Sequence, residues 1–324
     1  MKSIFSKEIL YVDIRGNLIK YVLAEHTYGK DYVGIKKHGS ILFAEEYAEQ
    51  AMIPDTDQTV KTLMSFVNKE KIATKKVYIN ISSASIILRM VKVPFMAMKD
   101  LKDYLEMEIS QFLPVNMENN AYDYKVLETV EEHGKKLLNL LITSLPKEII
   151  SNYMRLFKKA GLQPIVIDVY PNSISRLYGA CGNQDVMVID LNAEALDIIL
   201  LKNGKLFMFT SLHIKNKLTI HDTYRILQSK SEVTIPEGMK EILDYAKTYM
   251  DFFTSRSFGK KIDVVYLLND LARVKGINQF LANQLEVKIK IGAPEVFNFK
   301  SEESFESALN TAYACNLGLL IRGE

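Results

Sequence analysis

Glycine is scarce in this chain: 15 residues in 324, about 5% where roughly 7% is usual. Proteins that wrap phosphates in backbone loops need glycine there, because a side chain keeps the backbone away from the phosphate. Neither Gly-x-x-x-x-Gly-Lys-Ser/Thr nor Gly-x-Gly-x-x-Gly occurs, so the two common phosphate loops are excluded. Cysteine is scarcer still. Cys181 and Cys315 lie far apart in apolar surroundings, which excludes a disulfide framework and a cysteine metal site and predicts a reducing compartment. The five histidines, at 26, 38, 133, 213 and 221, have no metal-ligand spacing. No stretch reaches the ~18 consecutive apolar residues of a membrane span. Residues 1–16 alternate polar and apolar without the apolar core of a signal peptide, so a cytoplasmic location is expected. Charge of one sign is also missing. Lys+Arg 41 against Asp+Glu 39 leaves a net +2, without the basic excess of a dedicated nucleic-acid binder.

What is present is an ordinary soluble composition, 48% hydrophobic and 25% charged, with length for about two domains. Alternation predicts strands over 8–14, 18–23 and 32–43, with a turn at 15–17. Helical spacing of Val60, Leu63, Met64 and Val67 predicts a helix over 57–72, followed by a strand over 76–81. Next comes a β-α-β-β-α-β order, the split βαβ pattern. Its strands are 86–93, 122–130, 137–145 and 164–170. Its first helix has Met98, Leu101, Leu105, Ile109 and Phe112 on one face, and its second is opened by Pro146 with Ile149, Ile150, Tyr153, Leu156 and Phe157 on one face. After a short helix near 172–180 the opening pattern repeats. Strands are expected at 186–190, 195–201 and 205–214, helices at 218–228 and 237–257, a strand at 262–268, a helix at 274–285, a strand at 287–291 and a closing helix over 304–320. Both halves therefore begin with a strand ending in aspartate, a turn and a return strand, with Asp13 and Asp190 in equivalent places. The expected architecture is a duplicated α/β fold of two lobes: 1–84 with 165–182, and 183–324, with 85–164 inserted.

A carboxylate at a strand end before a tight hairpin can hold hydrated Mg²⁺ against nucleotide phosphates. Two such hairpins facing across a cleft would form a phosphate clamp. The Lys doublets (Lys36-Lys37, Lys75-Lys76, Lys135-Lys136, Lys158-Lys159, Lys260-Lys261) read as solvated faces, which would favour an anionic membrane surface only if they share a side.

Several ordered segments carry a resemblance. They are Tyr11–Lys20; Val93–Met96, Leu101–Glu108, Gln111–Pro114 and Tyr122–Leu127; Ala160–Pro164 and Val166–Asp168; Val188–Asp190; and Leu317–Arg322. In these the sequence resembles the PilM family, actin-like cytoplasmic proteins of type IV pilus assembly, and more distantly FtsA. The resemblance implies an actin-like, ribonuclease-H-like fold with Asp13 and Lys20 on its first phosphate strand and hairpin, Asp190 on its second, and Mg²⁺ between Asp13 and Asp190. It also implies a groove beside the inserted module that takes the N-terminal cytoplasmic tail of PilN, a membrane-anchored partner; Phe112, Leu113 and Val115 are the residues assigned to it. The protein would then be a scaffold at the inner face of the cell membrane, linked to pilus motor and platform proteins, membrane-associated through its partners, with self-association left open.

Four glycine sites of that family pattern are altered here. Arg15 stands where Asp-x-Gly wants glycine, with Gly16 following; Asn192 stands in the second; Lys215-Asn216 and Asn269-Asp270 replace two further glycine pairs. Asn and Asp tolerate left-handed backbone, so three of these turns are expected to keep their shape while losing room for phosphate, ribose or adenine. Arg15 would either contact a phosphate or fill the cleft by pairing with Asp190. Weak ATP and Mg²⁺ binding is expected, with no cofactor required and no working ATPase. Two rivals stay open: an FtsA-like membrane-tethered filament protein and an actin-fold small-molecule kinase. The chain ends at Glu324 directly after the closing helix, against the amphipathic tail of the first; the altered glycines count against the second.

Overall fold

The computed structural model describes residues 6–27, 33–44, 52–192, 195–214, 237–273, 276–294, 299–300 and 311–322. Two sheets of one design dominate. In the first, β1 (Ser6–Arg15), β2 (Leu18–Thr27) and β3 (Val33–Leu42) run antiparallel; β4 (Lys76–Ile81) and β8 (Gln163–Val169) add parallel to β1, giving the order β3-β2-β1-β4-β8. In the second, β9 (Val186–Leu191), β10 (Ala195–Lys202), β11 (Lys205–His213), β12 (Val264–Leu268) and β13 (Lys288–Ile291) repeat it as β11-β10-β9-β12-β13. The two residues of β14 (Phe299–Lys300) extend the first sheet beside β3. The same order used twice is the duplicated, actin-like two-lobe architecture.

Both sheets are covered on both faces, and their strands read accordingly. In β1, Ile9 and Tyr11 face the interior between the lobes, while Leu10, Val12 and Ile14 face outward into a second core. In β9, Val186 and Val188 face inward, and Met187, Ile189 and Leu191 outward. Between the sheets lie α4 (Tyr170–Gly179) and α8 (Ala314–Leu320), whose buried Ile174, Leu177, Leu317 and Leu319 join both lobes in one core. The first lobe's outer face is covered by α1 (Asp57–Lys69) and α3 (Lys147–Lys159), the second's by α5 (Glu237–Arg256) and α7 (Ile277–Leu285). Fully burying one such Leu, Ile or Phe contributes about 1.5–3 kcal/mol. Thr56 caps α1 by accepting from the Thr59 amide at 3.3 Å, with Asp57 in the first turn and Lys69 in the last, both matched to the helix dipole.

The inserted module is a three-stranded antiparallel sheet in the order β5-β7-β6, with β5 (Ile87–Pro94), β6 (Asn120–Glu132) and β7 (Lys135–Pro146), and with α2 (Met98–Phe112) on one face. Val93, Leu101, Leu105, Ile109, Leu113, Leu138, Leu140 and Ile142 form its core. The last two elements of the split βαβ order go elsewhere. β8 pairs with β4, and Ile149, Tyr153, Leu156 and Phe157 of α3 pack into the first lobe's outer core. Pro146 precedes the first turn of α3 and does not sit inside it. Met98, expected on the buried face of α2, is exposed at the helix start. A short helix not expected from the sequence, α6 (Asn269–Ala272), follows β12. The expected helix over 218–228 and the first part of the closing helix lie outside the described residues. Among the described residues no helix is long and apolar enough to cross a membrane.

Candidate functional site

The period of two that builds the sheets also builds the cleft. Asp13 and Arg15 follow Tyr11 on the inward face of β1, and Asp190 follows Val188 on the inward face of β9. Across each hairpin, Asp13 pairs in register with Lys20 and Asp190 with Asp197. The two halves thus carry opposite charges at matching places, and Arg15 spans the gap between them. Its guanidinium lies 3.3 Å from Asp13 Oδ2, 2.9 Å from Asp190 Oδ2 and 3.2 Å from Asp197 Oδ2. It also stacks over the Tyr170 ring, 3.9 Å from its centroid. The arginine side chain is only 10% exposed.

Every remaining carboxylate oxygen of the two aspartates named in the sequence is taken by the protein itself. Asn80 Nδ2 donates to Asp13 Oδ1 at 3.0 Å, and Ser173 Oγ holds Asn80 through its Oδ1 at 2.9 Å. The Tyr170 hydroxyl donates to Asp190 Oδ2 at 2.6 Å; Asn269 Nδ2 donates to Asp190 Oδ1 at 2.5 Å and Asn192 Nδ2 at 3.3 Å. Lys20, the expected phosphate lysine, donates across the cleft to Asn269 Oδ1 and, at 3.1 Å, to the Ala312 carbonyl. Burial and the Asp190 carboxylate raise the Tyr170 hydroxyl well above its ordinary pKa, so it stays a donor. Burial opposes the charge on Arg15, but Asp190, then Asp13 and Asp197, overcome it and hold the guanidinium protonated.

One guanidinium shared among three carboxylates does not balance them. Burial pushes Asp197 up to about 6, against the pull of Arg15 and helped by Asp190 and Asp13. A carboxyl raised in the folded state contributes stability that is fully present below its ordinary pKa near 4 and is lost as pH rises through about 6. Asp197→Asn keeps an acceptor for Arg15 and removes the titration. Relative to wild type, the variant is therefore expected to gain on the order of 3 kcal/mol between pH 4 and pH 7. Urea unfolding of both proteins across that range measures it, and a difference that does not change with pH contradicts it.

The sequence placed Asp13, Arg15, Lys20, Asp190, Asn192 and Asn269 in one site, and the structure brings them together. Gly16 turns the first hairpin with φ +52°. Asn269 is left-handed, φ +53°, as expected of an asparagine in a glycine's place. Asn192 does not take that conformation; its amide closes the second hairpin onto the Ala195 carbonyl at 2.9 Å. Asp270 falls within α6, and Lys215-Asn216 lie outside the described residues. Missed altogether were Asp197, Asn80, Tyr170 and Ser173. Asp197 was legible by counting back across the hairpin from Asp190; the others depend on which strand and helix lie beside β1 and β9. Of the residues assigned to the partner groove, Leu113 is buried in the module core and offers nothing outward, while Phe112 and Val115 are half-buried against it. The exposed apolar side chains of the module are elsewhere: Phe95 and Met98 at the start of α2, and Met107, 81% exposed, in its second half.

Mg²⁺-ATP is the group this architecture implies, and the residues do not fit it as they stand. A cation between Asp13 and Asp190 would have to displace Arg15, and a phosphate would have to displace Lys20 from Asn269. Among the described residues no group of three His, Cys, Asp or Glu is placed to hold a metal ion.

A family model described as type IV pilus assembly protein PilM matches residues 11–324. A search of curated proteins finds no matching sequence. Among solved structures, a PilM–PilN type IV pilus biogenesis complex superposes with a TM-score of 0.75 at 20% identity, covering 98% of this chain and 98% of that one. A Bacteroides thetaiotaomicron protein with an actin-like ATPase fold and unknown function gives 0.49 at 11% identity, covering 98% and 96%. The cytoplasmic domain of EpsL, an inner-membrane component of the type II secretion system of Vibrio cholerae, gives 0.48 at 7% identity, covering 98% and 96%. The first of these likenesses establishes a shared fold over nearly the whole chain.

Proposed function

The chain belongs to the PilM family of type IV pilus assembly proteins, and from that membership we propose that it is a scaffold that binds the N-terminal cytoplasmic tail of a PilN-like inner-membrane protein without needing nucleotide. The observation that carries this reading is the Arg15 cluster, which supplies from within the chain the cation that an actin-like cleft takes from outside. With the lobes already bridged, ATP has little to add. Weak or absent ATP binding, and no hydrolysis, follow from the occupied carboxylates and from Lys20 being spent on Asn269 and Ala312.

The inserted region, 85–164, is the proposed docking subdomain. Its core is complete without Phe95, Met98 and Met107, so these apolar side chains are free to cover a partner. Phe112 and Val115, at the other end of α2 from Phe95 and Met98, would line the part of the groove that takes the tail. At the cytoplasmic face of the membrane, the scaffold would pass the position of its membrane partner to motor and platform proteins. Support for the tail-binding part is the fold shared with a PilM that was solved bound to PilN.

A peptide copying the partner's N-terminal tail is expected to bind the full chain in a calorimeter with no nucleotide added. Val115→Asp is expected to weaken it at least about tenfold, the size of a charge placed in an apolar contact. No detectable heat at high micromolar peptide would sink the proposal.

A further inference from the structure

One end of the second lobe, away from the cleft, gathers cations around exposed aromatic rings. Leu201 and Val264 both pair with Val186, and Val264 also pairs with Lys288, so the β10–β11 turn, the loop after α5 and the start of β13 share that end. Arg256, Lys260, Lys261, Lys205 and Lys288 are exposed there. Lys202 lies 5.7 Å from the Phe207 ring centroid, Phe207 lies 6.2 Å from Phe252, and Arg256 lies 5.8 Å from Phe252, so rings and cations form one strip. The aspartates at this end are engaged by backbone: Asp263 accepts from the Asp185 amide and Asp185 from the Asn203 amide, both at 2.8 Å. Glu128 is paired with Lys205, and the exposed acids at this end are Asp263, two residues from Lys261, and Glu286, two residues from Lys288, fewer than the cations around them.

Phe258 stands at the tip of this strip. It is 100% exposed and its backbone is left-handed, φ +53°. The turn it occupies closes α5 through the Gly259 amide on the Thr254 carbonyl at 3.0 Å. Glycine or asparagine would serve that turn with less strain. A bulky aromatic there costs the fold stability and packs against nothing, so its use lies outside the folded chain.

We propose that this end is a membrane-contact face, in which Phe258 enters the interfacial layer of an anionic bilayer and Arg256, Lys260 and Lys261 meet lipid phosphates. A lone projecting aromatic ringed by cations suits insertion between headgroups. A protein partner held stably would instead cover about 800 Å² on this side and want an apolar surface around the ring. The Lys260-Lys261 doublet, one of five scattered along the sequence, thus acquires companions that share its side.

Flotation of the full chain with vesicles decides the matter. The protein is expected to float with vesicles of phosphatidylglycerol and phosphatidylcholine in equal parts, and not with phosphatidylcholine alone. Phe258→Asn suits the left-handed turn, so its melting temperature is expected to be equal or higher while its partitioning falls about tenfold. Lys260→Glu with Lys261→Glu is expected to abolish flotation. Absence of flotation on the anionic vesicles, equal flotation on the neutral ones, or flotation untouched by both variants would each overturn the proposal. So would vesicle-free binding of a polyglutamate peptide lost in the charge-reversed variant, which would assign the face to an acidic protein. None of these outcomes depends on the tail-peptide titration.

Discussion

Arg15→Ala is expected to destabilise the protein by about 3–5 kcal/mol, because it removes the cation from a buried ionic cluster and leaves the carboxylates behind. Three of them converge on that one guanidinium, at 2.9–3.3 Å. The loss therefore includes repulsion among Asp13, Asp190 and Asp197 as well as the lost pairing, and the stacking on Tyr170 disappears with it. Arg15→Lys is expected to recover only part, since an ammonium cannot fork to acceptors on both lobes as a planar guanidinium does. The defect should shrink as pH falls, because protonating Asp197, which burial pushes up to about 6, removes part of the uncompensated charge. Urea unfolding of the three proteins at pH 7 and pH 4 checks both statements. A loss below about 1 kcal/mol, the scale of an exposed ion pair, would mean the cluster is open to water.

The second large effect is expected at the crossing of the two central helices. A Cβ added to Gly318 would lie 2.0 Å from the Ser173 carbonyl oxygen and 2.6 Å from its carbon. Both are backbone atoms of α4, which no rotamer change can move aside. Gly318→Ala must therefore push α8 from α4. The Gly318 carbonyl accepts from Arg176 Nε at 3.1 Å, and Asn316, two residues earlier, donates to the Tyr11 and Lys20 carbonyls at 3.1 and 3.2 Å. Moving α8 disturbs the layer that joins the lobes and the strand that carries Asp13. The expected cost is about 3 kcal/mol, the upper part of the range for overpacking. Gly34→Ala, where the added Cβ meets only the Glu25 carbonyl oxygen at 3.8 Å, is the control and should cost well under half of that. Equal effects at the two positions would contradict the close crossing.

The same two helices show where reading the sequence succeeds and where it stops. Alternation along β1 and β9 gave the strands, their repeat and the inward aspartates, because a period of two records which face a side chain takes. It does not record what lies opposite. Tyr170 and Ser173 reach Asp190 and Asn80 only because α4 is laid between the sheets, and nothing in their spacing says so. The module illustrates the same limit. Its β-α-β-β-α-β order was legible, but β8 and α3 joined the first lobe, since a parallel strand pairs where its hydrogen-bonding edge is free and β4 offered one. Met98 continued the apolar spacing of α2 yet is exposed as the helix's first residue, because periodicity gives the face of a side chain and not whether anything covers it. Arg15 was read with two outcomes open, phosphate contact or pairing with Asp190; the geometry selects the pairing, and adds Asp197 to it.

Whether the chain's own arginine has replaced the nucleotide is tested most directly by titrating the unmodified protein with ATP in the calorimeter, with and without Mg²⁺. The occupied carboxylates of Asp13 and Asp190 predict no Mg²⁺-dependent heat at high micromolar ATP, and predict that Arg15→Gly, which restores Asp-x-Gly, acquires one. Tight Mg²⁺-dependent binding by the unmodified protein would contradict the account.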